Sequence, residues 1–295
     1  MNEALNFLIT GMANGFIYSM IAIGFTLIIK CSRVFNFAQG EITILGAYIF
    51  YAAIVQFNLP LPIAILMTAV AAVFLGIMIE RMLIRPTIGQ PILSTVILTL
   101  ALGGVLRSLM ILIWGQDLLS LPPFFPKGGV HLGQVVTLSY PHIFFFAVSI
   151  VLIVLLGIYY SYTRGGLAMR VTADDIVVAR LLGINVTRIL AMSWAIAALI
   201  GGAAGVLLTS VTGIHYGAVE VGFKAMTVTL VGGMESLAGV IIMGPVLGII
   251  ETMVAGYIDP LLGGSISEVA SFIILLIFMV FRPHGILGWK TIERV

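Results

Sequence analysis

Long apolar stretches alternate with short polar breaks along this chain. Residues 5–29 form the first stretch, and residues 42–79 form one twice as long as a bilayer requires, interrupted by Gln56, Asn58, Pro60 and Pro62. Proline interrupts a helix, and lipid offers no partner to an unpaired backbone group, so the pattern predicts helices, with a hairpin of two in the second stretch. Further spanning helices are predicted at residues 91–113, 140–160, 189–212, 237–258 and 264–281.

The segment 161–188 concentrates charge between two of these predicted spans. Thr172 and Asp175 have the spacing of a capping box, and Gly183 stands where a left-handed residue ends a helix, so a helix is predicted over residues 173–182. At a rise of about 1.5 Å per residue it would be roughly 15 Å long, too short to cross a bilayer. We expect it outside the membrane, as a solvated helical loop or as a docking element for a soluble partner.

Basic residues predict an orientation for the spans. If residues 5–29 run from outside to inside, Lys127 lies outside and most other basic residues face the cytoplasm. The C-terminal basic residues Arg282, Lys290 and Arg294 also fall inside if one further segment crosses. The chain is thus predicted to be an all-α polytopic membrane protein of about eight to ten transmembrane helices, with its N-terminus outside and its C-terminus inside. The cytoplasmic basic residues of this scheme are Lys30, Arg33, Arg81, Arg85, Arg164, Arg170, Arg180 and Arg188.

The further crossing is predicted at residues 215–234. This segment is short and glycine-rich, and it carries Glu220 and Lys224 at the i,i+4 spacing of a helix, followed by Gly232 and Gly233. Such a segment is either a short or broken helix, re-entrant in the membrane, or an ordinary amphipathic surface helix. Irregular backbone at membrane depth is tolerated against protein or a wet cavity, so the first alternative makes it a candidate for a translocation path.

A second polar break follows the first span. Asn36, Gln39, Gly40 and Glu41 lie among apolar residues there, and two such breaks in one chain are typical of duplicated transporters. We expect both breaks to line a path, and bulky replacements at Gly40 or Gly232 to block it without preventing assembly.

Isolated charges and paired glycines mark other spans. Glu251 falls inside an apolar span, where an ionised side chain costs ~3 kcal/mol, so it requires a partner or water. Arg107 is expected to reach the membrane interface with its side chain. Small-xxx-small pairs permit close helix packing, and they occur at Gly11 with Gly15, Gly201 with Gly205, and Gly244 with Gly248.

Composition excludes several classes of function. The chain is 61% hydrophobic and only 9% charged, with a mean hydropathy of +1.20, which indicates a single membrane domain over residues 1–295 and not a water-soluble enzyme. A lone cysteine, Cys31, provides no disulfide, and no spacing suggests a metal, a cofactor or nucleic acid. There is no phosphate-binding GxxxxGK[ST] loop and no catalytic constellation. The chain therefore transports, conducts or scaffolds.

Several groups of residues together resemble the membrane permease subunits of branched-chain amino-acid ABC transporters, the shorter of the two homologous permeases in particular. Gln39 stands where many members have histidine, and relatives also carry urea, short amides or aromatic acids, so these substrates stay open. The groups are Asn36-Phe37-Ala38-Gln39-Gly40-Glu41, Gly46-Ala47-Tyr48, Glu80-Arg81, Arg85-Pro86, Arg164-Gly165, Arg170-Val171-Thr172-Ala173-Asp174-Asp175, Ala179-Arg180-Leu181-Leu182-Gly183-Ile184, Val231-Gly232-Gly233-Met234 and Phe281-Arg282-Pro283-His284-Gly285.

The resemblance implies partners in a bacterial or archaeal cytoplasmic membrane. These are a second, homologous permease, two cytoplasmic ATPase subunits and an extracytoplasmic binding protein that delivers leucine, isoleucine or valine. The predicted short helix would dock in an ATPase cleft, through Arg170, Thr172, Ala173, Asp174, Asp175, Ala179, Arg180 and Gly183. Two other functions remain open from the residues alone: an ion-coupled carrier or channel with Glu220, Lys224 and Glu251 as a relay, and a purely structural membrane subunit.

Overall fold

The computed structural model describes residues 2–87, 89–122, 128–132, 136–282 and 285–288, and most of them are helical. The prediction of an all-α membrane protein is confirmed. In the first part of the chain, π turns extend two helices, at Ala52–Gln56 and Glu80–Ile84, and a 3-10 turn follows the second of them at Arg85–Thr87. The helices here are α1 (Asn2–Ser32), α2 (Gln39–Tyr51), α3 (Leu61–Ile79), α4 (Ile92–Trp114) and α5 (Tyr140–Tyr162).

A short β-hairpin precedes α5 in a connection for which the apolar pattern predicted no element. Its strands β1 (Gly129–Leu132) and β2 (Val136–Ser139) are antiparallel, with Gly129 opposite Ser139. The remaining helices are α6 (Arg164–Asp174), α7 (Ile176–Leu181), α8 (Val186–Thr212), α9 (Val221–Gly232), α10 (Leu237–Tyr257), α11 (Asp259–Leu262) and α12 (Ile266–Phe281), with a 3-10 turn at Tyr216–Glu220 before α9.

Among the described residues, six helices are long and apolar enough to cross a membrane: α1, α3 with its turns, α4, α5, α8 and α10. Each coincides with a predicted span. Three more segments are shorter: α2, α9 and the 16-residue α12. The predicted total of eight to ten crossings therefore depends on these three, and it stays a prediction.

The chain folds into two compact units. Unit 1 is drawn from residues 1–26, 123–150 and 223–295, and unit 2 from residues 27–122 and 151–222. In unit 2, α2 packs against α3, α4 and α8 around a core of buried aliphatic side chains and one indole. That core includes Ile28, Ile42, Ile79, Leu106 and Trp194.

Glycines allow helices to touch through their backbones in both units. In unit 1, α1 and α10 cross in opposite directions, with Gly11 against Gly248 and Gly15 against Gly244. A Cβ added at Gly15 would lie 2.4 Å from the carbonyl oxygen of Gly244, a distance that only glycine tolerates. The small-xxx-small motifs predicted for close packing are confirmed here, and the hydroxyl of Ser19 adds a 3.2 Å hydrogen bond to the carbonyl of Val240.

The π turn after α3 holds a buried ion pair. Glu80 is fully buried and accepts two hydrogen bonds from Arg85, from Nε at 3.2 Å and from Nη2 at 2.8 Å. Residues five apart in a regular α-helix point about 140° away from each other, so they do not meet. The extra residue in the π turn removes that offset. The pair thus depends on the turn.

Candidate functional site

The break between α1 and α2 is closed by side-chain hydrogen bonds. Asn36 is fully buried, its Oδ1 accepts the backbone N–H of Ala38 at 3.2 Å, and its Nδ2 donates to Gln39 Oε1 at 3.0 Å. Gln39 in turn donates from Nε2 to the carbonyl of Ala197 in α8 at 3.2 Å. Both amide side chains therefore satisfy buried backbone and side-chain groups, and they fix the entry of the chain into α2.

Gly40 lies at a crossing of backbones and does not face open space. A Cβ built on it would approach the carbonyl oxygen of Val219 to 2.6 Å and the Cα of Gly222 to 3.1 Å. Gly232 in unit 1 is similar, since its added Cβ would lie 2.7 Å from the carbonyl carbon of Gly239. The expectation that bulky residues at Gly40 or Gly232 leave assembly intact is therefore wrong, because either change displaces a neighbouring backbone. Gly233 has a φ of +109°, which also favours glycine.

Glu41 and Arg107 form an ion pair between α2 and α4. Glu41 is buried, and its Oε1 accepts from Arg107 Nη2 at 3.1 Å. Gly103 makes room for the carboxylate, because a Cβ there would come within 3.3 Å of both carboxylate oxygens. Arg107 thus has a partner on α2 that the sequence did not indicate, and its reach to the interface stays a prediction. Its side chain is 43% exposed, so the pair joins a buried carboxylate to a half-exposed guanidinium.

A second intramembrane ion pair lies in unit 1. Lys224 of α9 pairs with Glu251 of α10, and the ammonium group also lies 5.8 Å from the centre of the Tyr18 ring. The predicted need of Glu251 for a partner is confirmed. The i,i+4 spacing had suggested Glu220 as the neighbour of Lys224; Glu220 instead ends the 3-10 turn and is exposed. The predicted short segment is present as this turn followed by the 12-residue α9.

The charged segment between α5 and α8 contains two short helices instead of one. The prediction of a single helix over 173–182 is wrong at its start, because α6 runs to Asp174 and α7 begins after Asp175. Asp175 is itself the N-cap, and its Oδ1 accepts from the backbone of Val177 at 2.6 Å and of Val178 at 3.0 Å. Thr172 takes no part in a capping box, since its hydroxyl donates to the carbonyl of Ala168.

The predicted end of that helix is confirmed. Gly183 has a φ of +77°, its N–H bonds to the carbonyl of Arg180, and the N–H of Ile184 bonds to the carbonyl of Ala179. This hydrogen-bond pattern closes the last turn of a helix on a left-handed glycine. The surface of α7 is largely apolar, with Val177 63% exposed and Leu181 82% exposed.

The residues predicted to dock an ATPase differ in exposure. Asp174, Asp175, Arg180 and Gly183 are exposed, whereas Thr172, Ala173 and Ala179 are buried within unit 2. Any docked protein would therefore contact these four exposed residues and the apolar residues of α7 directly.

Arg170 and Arg33 fasten this segment to the spans, which the charge pattern did not reveal. Arg170 Nη1 donates to the carbonyls of Tyr160 and Ser161 at the end of α5, at 2.5 and 2.9 Å. Arg33, which has a left-handed φ of +56°, donates from Nη2 to the carbonyl of Ala173 at 2.9 Å. Cations are favourable at helix C-termini, so both arginines stabilise the ends of helices α5 and α6.

Known proteins resemble this chain over most of its length. The chain matches the family model described as branched-chain amino acid transport system / permease component over residues 7–281. It is 30% identical to the high-affinity branched-chain amino acid transport system permease protein BraD of Pseudomonas aeruginosa, over 98% of this chain and 97% of BraD. It is also 30% identical to LivH of Escherichia coli, which has the same description, over 97% and 96% of the two chains.

More distant similarity extends to an archaeon and to a solved structure. A probable branched-chain amino acid transport permease protein LivH of Methanocaldococcus jannaschii is 25% identical, over 94% of this chain and 90% of that protein. The solved structure titled PsaBC from Streptococcus pneumoniae in complex with Fab shares the fold with a TM-score of 0.51 at 13% identity, over 93% of this chain and 90% of the other. At that identity the likeness concerns the fold alone.

Proposed function

Because this chain belongs to the family of branched-chain amino acid transport system permease components, we propose that it imports leucine, isoleucine or valine as the permease subunit of an ABC importer. A binding protein outside the membrane delivers the substrate. A homologous second permease completes the path, and two ATPase subunits inside the cell provide the energy.

The observation that carries the proposal is the exposed apolar surface of α7. Leu181 is 82% exposed and Leu182 is 67% exposed, on a capped helix flanked by Asp174, Asp175 and Arg180. An apolar centre with a charged rim is typical of a protein interface. A soluble ATPase subunit would bind α7 and transmit its closure to the spans through Arg33 and Arg170 as a rigid-body movement.

Contacts within unit 2 support the proposed orientation. The end of α1, the turns after α3 and the starts of α4 and α8 all surround one cavity, which α7 also lines, so these ends share one face with the basic residues. Leu119 and Ile214, which follow α4 and α8, pair through two backbone hydrogen bonds. Both facts fit alternate crossings with the N-terminus outside and the basic face in the cytoplasm. Lys127, Lys290 and Arg294 lie outside the described residues.

Gln39 offers little support for a urea or amide substrate. Its side chain is fully buried and bonded to Asn36 and Ala197, so it organises the break between α1 and α2. A polar residue that is already satisfied gives no reason to assign a different substrate from the one in the family description.

The proposal is tested by ATP-driven uptake into proteoliposomes that contain the complete complex and its own binding protein. Labelled leucine, urea and a short amide are compared in the same preparation. We expect leucine to accumulate only with ATP, and neither urea nor the amide to compete. Uptake of urea but not leucine would overturn the substrate and leave the ABC permease in place, whereas uptake without ATP would favour an ion-coupled carrier.

A further inference from the structure

Unit 2 contains a cavity of about 240 Å³ next to α7. Its walls are the end of α1, the turns after α3, the start of α4, α7 itself and the start of α8. Pockets for drug-sized ligands begin at ~300 Å³, so this one suits a molecule no larger than a single amino acid. None of the ion pairs described above lines it, but Arg33, Val34 and Phe35 of the break between α1 and α2 do.

The lining combines positive charge with an apolar wall. Arg33 and Arg180 contribute the charged groups, and among the residues that the structure describes no aspartate or glutamate belongs to the lining. Ile84, Val96 and Leu190 contribute aliphatic surface, two of them fully or almost fully buried. Guanidinium groups bind carboxylates through paired N–H donors, and aliphatic walls bind short hydrocarbon chains.

We propose that this cavity binds a small carboxylate with a branched aliphatic chain and that its binding slows transport. The imported amino acid has this chemistry, and so does the 2-oxo acid formed when that amino acid loses its amino group. Because the described part of the lining includes no acidic side chain that could pair with an ammonium group, the 2-oxo acid suits it as well as the amino acid does. The inference rests on the proposed function for the choice of ligand and for the cytoplasmic position of α7.

The position of the cavity explains how a ligand would act on transport. Arg33 belongs to the break between α1 and α2 and is bonded to Ala173, the next-to-last residue of α6. Ile176 and Arg180 belong to α7. A ligand that touches both sides stabilises the present distance between the docking helix and the break. It thereby opposes any conformation in which that distance changes, since a ligand favours the state it binds better.

The test uses the complex of this permease with its partner permease and ATPases, without the binding protein. Leucine, 4-methyl-2-oxopentanoate and 3-methylbutan-1-ol, which lacks the carboxylate, are titrated by calorimetry. The same compounds are then added at the ATPase face of proteoliposomes that also contain the binding protein, during uptake. We expect at least one of the two carboxylates to bind and to lower uptake, and the alcohol to do neither. Binding of leucine alone, of the oxo acid alone, or of both identifies the source of the ligand.

Two substitutions separate this cavity from the translocation path. Gln90 lies exposed in the lining, so Gln90→Glu places a negative charge beside the arginines, and Val96→Phe fills the apolar end. Each should weaken binding about ten-fold or more, which corresponds to ~1.4 kcal/mol, and should restore uptake in the presence of the carboxylate. Gln90→Asn leaves the side chain uncharged and is the matched control, with wild-type binding expected.

Three results would overturn the inference: neither carboxylate binds, both substitutions leave binding unchanged, or binding occurs without any effect on uptake. Failure of the proposed function looks different. In that case the complex does not accumulate leucine even without added ligand and with its binding protein present, while the calorimetric titrations still report on the cavity.

Discussion

The ion pair of Lys224 with Glu251 permits a sharp test of what intramembrane charge does in this protein. The side chains are 21% and 14% exposed, so water reaches both only partly. Removing one partner of such a pair leaves the other charge without compensation, which costs roughly 3–5 kcal/mol. Because some water still reaches both groups, we expect Lys224→Met and Glu251→Gln each to destabilise the protein by roughly 3 kcal/mol, at the lower end of that range.

The double variant Lys224→Met/Glu251→Leu is the informative one. Apolar side chains of similar volume remove both charges together, and replacing a buried pair in this way is often neutral. We therefore expect thermal unfolding of the solubilised complex to return to within about 1 kcal/mol of wild type. ATP-driven leucine uptake should return with it.

The reasoning would be refuted by a double variant that is as stable as wild type but takes up no leucine. That result would assign the pair a direct part in transport, as the relay of an ion-coupled carrier requires. A double variant that stays as unstable as the single ones would show instead that the packing of Tyr18 against the ammonium group, and not charge balance, stabilises this site.

Three more predictions follow from the described contacts. Asp175→Ala removes the N-cap of α7 and costs about 1 kcal/mol of local helix stability, so ATPase activity stimulated by loaded binding protein should fall while Asp175→Asn keeps it. Gly46→Leu should abolish recovery of folded protein from detergent, because a Cβ there lies 2.4 Å from Gly202, whereas Gly104→Ala, which meets nothing, should not. Hydrogen bonds from Ser267 lower the pKa of Asp259, so their stabilisation is present above the ordinary pKa of aspartate and is lost as pH falls through the lowered value. Amide exchange at Ser267 should rise over that acidic range, and Ser267→Ala should weaken the pH dependence without removing it, because the backbone N–H of residue 267 still donates to Asp259.

Much of the fold could be predicted because spanning helices depend on a signal that is local in sequence. The need to satisfy backbone groups in lipid fixes helices wherever apolar residues continue for long enough, and all six long helices were predicted in this way. The left-handed cap at Gly183 is local too, and it was predicted correctly.

Errors arose where a side chain has two possible partners, or where its neighbours in the fold lie far away in the sequence. The hydroxyl of Thr172 bonds backward to Ala168 within its helix, which leaves the N-cap to Asp175, and spacing alone does not distinguish these choices. The contacts of Arg107 with Glu41 and of Gly40 with Val219 were missed because these neighbours lie far away in the sequence and on other elements. Such contacts depend on how helices cross, and hydropathy carries no information about crossing.

The ion pair between Glu80 and Arg85 has a consequence for the tolerance of this chain to insertions and deletions. A π turn holds one residue more than the α-helical turn it replaces. Loss of a residue between 80 and 85 would therefore restore a regular, continuous helix in the same direction. The same deletion would leave Glu80 and Arg85 four residues apart, the spacing at which side chains of a regular α-helix meet, so the ion pair would survive it. This stretch can therefore lose one residue and keep the pair, whereas a return to regular α-helical geometry at the present length would separate the two side chains.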